Sequence, residues 1–193
     1  MEPLANKIRP KSLKDFVGQE HLVGQGKPLR EAIEQKHLFS FILWGPPGSG
    51  KTTLARIYAN ALEAEFYELS AVDAGKEDIK NILGTDGKVR PSQKGLTFPS
   101  KPKVVFIDEI HRFNKAQQDF LLPFVERGAL TLVGATTENT SFEVIPALLS
   151  RTRVFVLNEL GEGDMEAIFK QTKLKIPKDA KDWLVQMAQG DAR

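Results

Sequence analysis

Apolar residues in this chain gather in short continuous runs, separated by longer stretches with helical spacing. Phe41-Ile42-Leu43-Trp44, Val104-Val105-Phe106-Ile107 and Val154-Phe155-Val156-Leu157 are rich in β-branched and aromatic side chains. All three predict strands, and the β-branched Val104-Val105-Phe106-Ile107 is what a parallel strand buried on both faces looks like. Leu130-Thr131-Leu132-Val133-Gly134-Ala135 predicts another strand, and Glu65 to Leu69 a further one that ends at Ser70-Ala71. Helices fit between them. Pro28 to Lys36 carries Leu29 and Ile33 near helical spacing, with Pro28 suited to a first turn. Thr53 to Ala59, the stretch through Ile79 and Ile82-Leu83, and Pro146 to Arg151 are helix-compatible as well. Ala116 to Glu126 presents Phe120, Leu121 and Phe124 on one face and stops at Gly128. Strands alternating with helices predict an α/β fold: a three-layer domain over residues 1–160 around a mainly parallel, five-stranded sheet. Beyond Gly161 the pattern turns helical, with Met165, Ile168 and Phe169 on one face and Trp183, Leu184 and Met187 on another. Two helices with bare apolar faces make a poor domain, so residues 161–193 are expected to begin a second, helical domain of a longer polypeptide.

Bulk composition narrows the class. A length of 193 residues suits one full domain and part of another. Hydrophobic residues at 41% and charged residues at 27% exclude a disordered or membrane-embedded chain. A net charge of +2 means that any basic footprint must come from local clustering. One cluster exists: Gly84 to Lys103, broken by Gly and Pro, carries Lys88, Arg90, Lys94, Lys101 and Lys103 against Asp86. A loop this long is either solvated or functional; in the second case Lys88, Arg90 and Lys94 would touch DNA phosphates, with Phe98 stacking on a base. The absence of cysteine removes disulfides, thiolate catalysis and cysteine-ligated zinc. No apolar run approaches the roughly 18 residues of a spanning helix, and Met1 to Lys7 lacks a signal-peptide core. A cytoplasmic protein without a membrane partner is expected.

Chemistry concentrates where the first strand ends. Gly45-Pro46-Pro47-Gly48-Ser49-Gly50-Lys51-Thr52 satisfies G-x-x-x-x-G-K-[ST], preceded by a strand and followed by a helix. Such a loop turns its N–H groups inward, so that a polyphosphate rests on them at the positive end of the helix. Lys51 would reach the β- and γ-phosphates and Thr52 would supply a hydroxyl to Mg²⁺, with Thr53 beside it at the nucleotide. Asp108 closes a hydrophobic strand as expected of the carboxylate that holds the Mg²⁺ shell. Glu109, next to it, can accept a proton from the attacking water. Thr136, at another strand end, is a candidate γ-phosphate sensor, with Thr137 and Asn139 as rivals. Arg151 follows a short helix and is either a cation completing a neighbouring subunit's site or a surface ion-pair partner. His21, His37 and His111 are too scattered for a metal site and are taken as structural or surface residues. Residues 1–27, with Arg9-Pro10-Lys11-Ser12 and Phe16-Val17-Gly18-Gln19-Glu20, form either an arm or a strap laid over the nucleotide base.

Pro46-Pro47 within the loop, Asp108-Glu109, Ala135-Thr136-Thr137, Ser150-Arg151 and Gly190-Asp191-Ala192-Arg193 resemble the AAA+ P-loop ATPases of the clamp-loader and Holliday-junction-motor branch. Asp108-Glu109-Ile110-His111-Arg112-Phe113-Asn114-Lys115-Ala116-Gln117-Gln118-Asp119 and Gly134-Ala135-Thr136-Thr137-Glu138-Asn139 resemble in particular the replication-associated recombination ATPase family RarA, or MgsA, with its Werner-helicase-interacting relatives. The resemblance implies that Arg9, Pro10, Val17 and Gly18 strap the adenine of ATP. It makes Thr136 the first sensor, Arg151 a finger acting in trans, and Arg193 a second sensor on a helical lid that begins at residue 161. It also implies a DNA-stimulated, Mg²⁺-dependent ATPase that forms a ring-like homo-oligomer. Such an ATPase is nucleoid-associated, acts at forks and single-stranded or free DNA ends, and works with single-strand-binding protein. The chain departs from the family at Thr140, where proline is usual, and in the length of the 84–103 loop. It also lacks the rest of the lid and the C-terminal oligomerisation region. A clamp-loader-like scaffold with little turnover, a branch-migration motor and a protein unfoldase are the competing functions.

Overall fold

Alternate side chains of the buried strands fall into two separate apolar layers, which is why their sequences carry no polar alternation. In the computed structural model Phe41, Leu43, Val104, Phe106, Val133 and Ala135 share one layer. Ile42, Val105, Ile107 and Leu132 share the other. The structure describes residues 8–83, 101–174 and 176–192. Lys88, Arg90, Lys94, Phe98 and Arg193 lie outside the described residues.

The strands are β1 (Phe41–Trp44), β2 (Glu65–Ser70), β3 (Lys103–Asp108), β4 (Thr131–Thr136) and β5 (Arg153–Val156). They form one five-stranded sheet in the order β2-β3-β4-β1-β5, every pair parallel, as expected from the sequence. The first apolar layer is completed by α1 (Glu20–Val23), α2 (Pro28–Glu34) and α3 (Lys51–Ala61). The second is covered by α4 (Lys76–Leu83), α5 (Lys115–Glu126) and, beyond the short α6 (Thr140–Glu143), by Val144 and α7 (Pro146–Leu149). Helices α8 (Glu162–Gln171) and α9 (Lys178–Ala188) follow. Met165 of α8 is buried, whereas α9 has no buried residue and leaves Trp183, Leu184 and Met187 exposed. Among the described residues no helix is long and apolar enough to cross a membrane.

Two local expectations change. Helix α1 lies inside the 1–27 segment, for which the sequence predicts an arm or a strap and no helix, because Leu22 and Val23 are apolar enough to bury one short turn against the first layer. Lys103 opens β3 instead of closing the basic loop: it pairs in register with Glu65, and its Nζ sits over the Tyr67 ring. Ladder pairing with β2 outweighs the poor strand preference of lysine. Thr140, the departure from the usual proline, is the first residue of α6, with Asn139 capping the Ser141 N–H. A first helical position has no intrahelical use for its N–H, so the turn accepts either residue.

An aromatic cluster under β1 fixes α3 against the sheet. The Phe41 and Tyr58 rings meet edge to face at 4.9 Å, and Phe39 and Phe155 pack beside them. The buried Tyr58 hydroxyl accepts from the Phe39 N–H at 2.9 Å and donates to the carbonyl of His37 or Phe39, each 3.1 Å away. Burial pushes its pKa from 10.0 up to about 12, against a smaller opposing contribution from the Phe39 backbone hydrogen bond. The neutral phenol is thus favoured by the folded state. Its contribution to stability is full below pH 10 and declines as pH rises towards 12. Tyr58→Phe should cost about 1–3 kcal/mol in urea unfolding at pH 8 by leaving the Phe39 N–H unpaired. That deficit should narrow between pH 10 and 12, and a gap that stays constant would contradict the assignment.

Candidate nucleotide site

Because all five strands are parallel, their carboxyl ends open on one edge of the sheet, where ligands of α/β sheets collect. β1 runs there into Gly45–Gly50, and α3 starts at Lys51. Gly48 and Gly50 take φ of +69° and +98°, values that a side chain would strain. The loop is tied down on its own side by Ser49 Oγ donating to the Pro46 carbonyl at 2.8 Å, and to β4 by the Gly45 N–H donating to the Thr136 carbonyl at 3.1 Å. Lys51 Nζ folds back on the carbonyls of Gly45 and Pro46, 2.8 Å from each.

One cavity opens over this loop. Pro47, Gly48, Ser49, Gly50, Lys51, Thr52 and Thr53 form its floor, and Asp108, Glu109 and Thr137 stand at the strand ends. Arg9, Pro10 and Val17 line it from the N-terminal segment, together with Ile8, Asp15 and Phe16. Leu160, Ile168, Gln171 and Ala192 close it from the far side. The oxygen-only donors Thr52 and Asp108, with Glu109 beside them, suit a hard divalent cation such as Mg²⁺. Such an ion uses one or two protein ligands and completes its shell with water and phosphate. Accordingly, no group of three acidic, histidine or cysteine ligands is needed, and none occurs among the described residues.

The β3 acids are rigidly presented. The Glu109 N–H donates to Asp108 Oδ1 at 3.1 Å, and Glu109 itself has φ of +53°, a conformation rare outside glycine. Its Oε2 lies 3.2 Å from His111 Nδ1. Thr136, by contrast, is fully buried behind the cavity wall: its Oγ1 lies 2.8 Å from His111 Nδ1 and accepts from the Glu138 N–H at 3.0 Å. Thr137, the rival position, is the one on the wall.

Residues 41–160 match the model of the ATPase family associated with various cellular activities (AAA). The chain belongs to the AAA family. Its relatives sharpen the picture. It is 46% identical over 202 residues to the replication-associated recombination protein A of Coxiella burnetii, covering 99% of this chain and 44% of that protein. It is 43% identical over 201 residues to the ATPase WRNIP1 of Dictyostelium discoideum, covering 99% of this chain and 22% of that protein. The RuvB Holliday junction branch migration motor of Thermotoga maritima superposes with a TM-score of 0.75 at 30% identity, covering 96% of this chain and 62% of that one. The RarA resemblance carried by the β3 and β4 signatures is borne out by these matches. This chain spans less than half the length of the two curated relatives.

Several AAA site candidates stand off the cavity. Arg151 pairs with Glu126, its Nε 2.6 Å from Oε1, and also donates to the Ala147 carbonyl at 2.8 Å and to Ser150 Oγ at 2.9 Å. Gly45 and Pro46 contribute carbonyls to Lys51, and Gly18, at φ of +81°, packs so closely that an added Cβ would meet Leu160 Cδ2 at 2.6 Å. Sequence patterns missed Ile8, Asp15, Leu160 and Gln171 as lining residues, and they placed Ile168 only on an apolar helix face and Ala192 only within the Gly190–Arg193 signature. Nothing local distinguishes such residues from ordinary surface or core positions.

Gln19 was legible only as part of the strap signature, and its geometry is the clamp of the AAA site. Buried and at φ of +59°, it donates from Nε2 to the carbonyls of Ser49 at 3.3 Å and Asn158 at 2.7 Å, and accepts the Asn158 N–H at 2.9 Å. One side chain thus joins the N-terminal segment, the phosphate loop and the segment entering α8. Gln19→Leu, which keeps the bulk and removes these bonds, should lower unfolding stability by about 2–4 kcal/mol. Chemical denaturation checks this, and a loss under about 0.5 kcal/mol, the usual range of a neutral surface change, would contradict it.

Proposed function

We propose that this chain is the nucleotide-hydrolysing portion of a DNA-dependent, Mg²⁺-requiring ATPase that acts as a homo-oligomer. It remodels DNA or DNA-bound proteins in replication-fork maintenance and recombination. The observation that carries the proposal is the single cavity shared by the phosphate loop, both β3 acids and the N-terminal strap, with Arg151 held outside it. The replication and recombination setting is supported by the name of the RarA relative, which matches over 99% of this chain. In this reading the protein works in the cytoplasm at the nucleoid, with single-strand-binding protein as a partner.

Arg9, Pro10 and Val17 would hold the adenine, and the loop N–H groups and Lys51 the phosphates, Lys51 exchanging its present carbonyl partners for the β- and γ-oxygens. Thr52 and Asp108 would hold Mg²⁺, which neutralises charge developing on the phosphates. Glu109 would take the proton from water as the new P–O bond forms and ADP leaves. For sensing the γ-phosphate the geometry favours Thr137 over Thr136, because Thr137 lines the cavity. Arg151 would act in trans. Leaving Glu126 costs little, since half-exposed ion pairs contribute only about 0–1 kcal/mol. Arg193, the second-sensor candidate, would complete the lid. A scaffold without turnover is disfavoured, because Lys51, Thr52, Asp108 and Glu109 are all retained around the cavity.

In the full-length protein Glu109→Gln should reduce phosphate release on the order of 10²–10⁴-fold while ATP still binds, and unchanged turnover would sink the hydrolytic assignment. Arg151→Ala should be nearly inactive by itself, a finger contributing on the order of 10³–10⁵ in rate. Mixed with Lys51→Ala, it should regain partial activity, because some interfaces then hold both intact residues. Verified mixed oligomers that remain inactive would place Arg151 outside the site.

A further inference from the structure

We propose that His111 is the positioning residue for Glu109, acting through one ring nitrogen for which Glu109 and Thr136 compete. The inference rests on the hydrolytic reading of the site. His111 belongs to a 3₁₀ turn, Ile110–Arg112, anchored by the fully buried Ile110 and closed by the Arg112 N–H donating to the Glu109 carbonyl at 2.8 Å. The turn leaves the His111 side chain only 10% exposed. Its Nδ1 faces two oxygens, Glu109 Oε2 at 3.2 Å and Thr136 Oγ1 at 2.8 Å.

A neutral imidazole carries one N–H, so Nδ1 cannot serve both oxygens fully. When Nδ1 is protonated and donates to Glu109, the carboxylate is held against the turn. When Nδ1–H donates to Thr136, the threonine hydroxyl can turn to the Glu138 carbonyl, 3.5 Å away, and Glu109 is released towards the cavity. With the proton on Nε2 instead, Nδ1 accepts the Thr136 hydroxyl and offers Glu109 nothing. Neither exchange alters the net charge of the trio. Thr136 is the last residue of β4 and directly precedes Thr137 on the cavity wall. The position of the base is thereby tied to the strand end that meets the phosphates. Thr136 is in this scheme the partner of the histidine, not a group that touches nucleotide.

Amide side chains separate this role from packing. In the full-length protein His111→Ala should lower kcat on the order of 10- to 100-fold, the range expected for a misplaced catalytic group, with ATP affinity unchanged. His111→Asn puts an N–H donor near the Nδ1 position and should restore most of the rate. His111→Gln puts its donor near the Nε2 position and should not. The double variant His111→Ala with Glu109→Gln should be no slower than Glu109→Gln alone, because both act through one group. A parent-like kcat in His111→Ala, equal rates in folded Asn and Gln variants, or additive losses in the double variant would overturn the assignment. Should the alanine variant not fold, the near-isosteric Asn and Gln pair decides alone. Glu109→Gln measured alongside keeps the failures distinct. If it retains turnover, the hydrolytic reading falls; if it is inactive while His111→Ala is not, only the role of His111 falls.

Discussion

A parallel sheet whose central strands β1, β3 and β4 are buried on both faces leaves their polar side chains nowhere to go except the strand ends, and parallel pairing puts all the carboxyl ends on one edge. That constraint assembles the site. The phosphate loop leaves β1, the Asp108-Glu109 pair leaves β3, and Thr136-Thr137 closes β4, which lies between those two strands. Each polar group begins where the apolar layers stop, so the chemistry is contiguous in space although it is scattered along the chain. The aromatic cluster of Phe39, Phe41, Tyr58 and Phe155 supports the same arrangement by holding α3, whose first turn completes the phosphate loop, against β1.

The edge of a sheet makes only the floor of a pocket, and the walls come from the chain's extremities. The N-terminal segment and the last helices both reach the loop, and Gln19 bonds to a residue 139 positions away. Hydrogen bonds that replace water around buried carbonyls contribute modestly when made and cost more when lost, so a shared clamp makes strap, loop and linker respond together. The approach is tight on the other side as well: a Cβ added at Gly48 would meet the Asp191 backbone at 2.5 Å. The loop therefore needs glycine there for its φ and for its neighbour.

Catalytic carboxylates must be held still without being consumed by their supports. Glu109 is constrained twice, by a left-handed backbone and by the imidazole that it shares with Thr136. Arg151 shows the opposite arrangement. It rests in a half-exposed pair with Glu126, where solvent keeps the interaction weak.

The sequence alone was sufficient for the sheet and for the loop. Uninterrupted apolar runs report strands, and a glycine pattern between strand and helix reports a backbone shape, because both are local physical requirements; that β3 is buried on both faces while β5 leaves Val154 and Val156 exposed depends on strand order. Asp108 and Glu109 were legible for the same reason, as acids that end a buried run. Which of Thr136 and Thr137 meets the cavity was not: Thr136 ends β4 and is buried while Thr137 follows it on the wall, and only the packed sheet shows this. His111 looked like a surface or structural histidine because one of its two partners, Thr136, sits on β4, 25 residues away. Gln19, Gln171 and Ala192 became part of a site only when segments far apart in the chain closed over the loop. Tertiary structure decided these roles because they depend on distances between elements, to which no local pattern of residues responds.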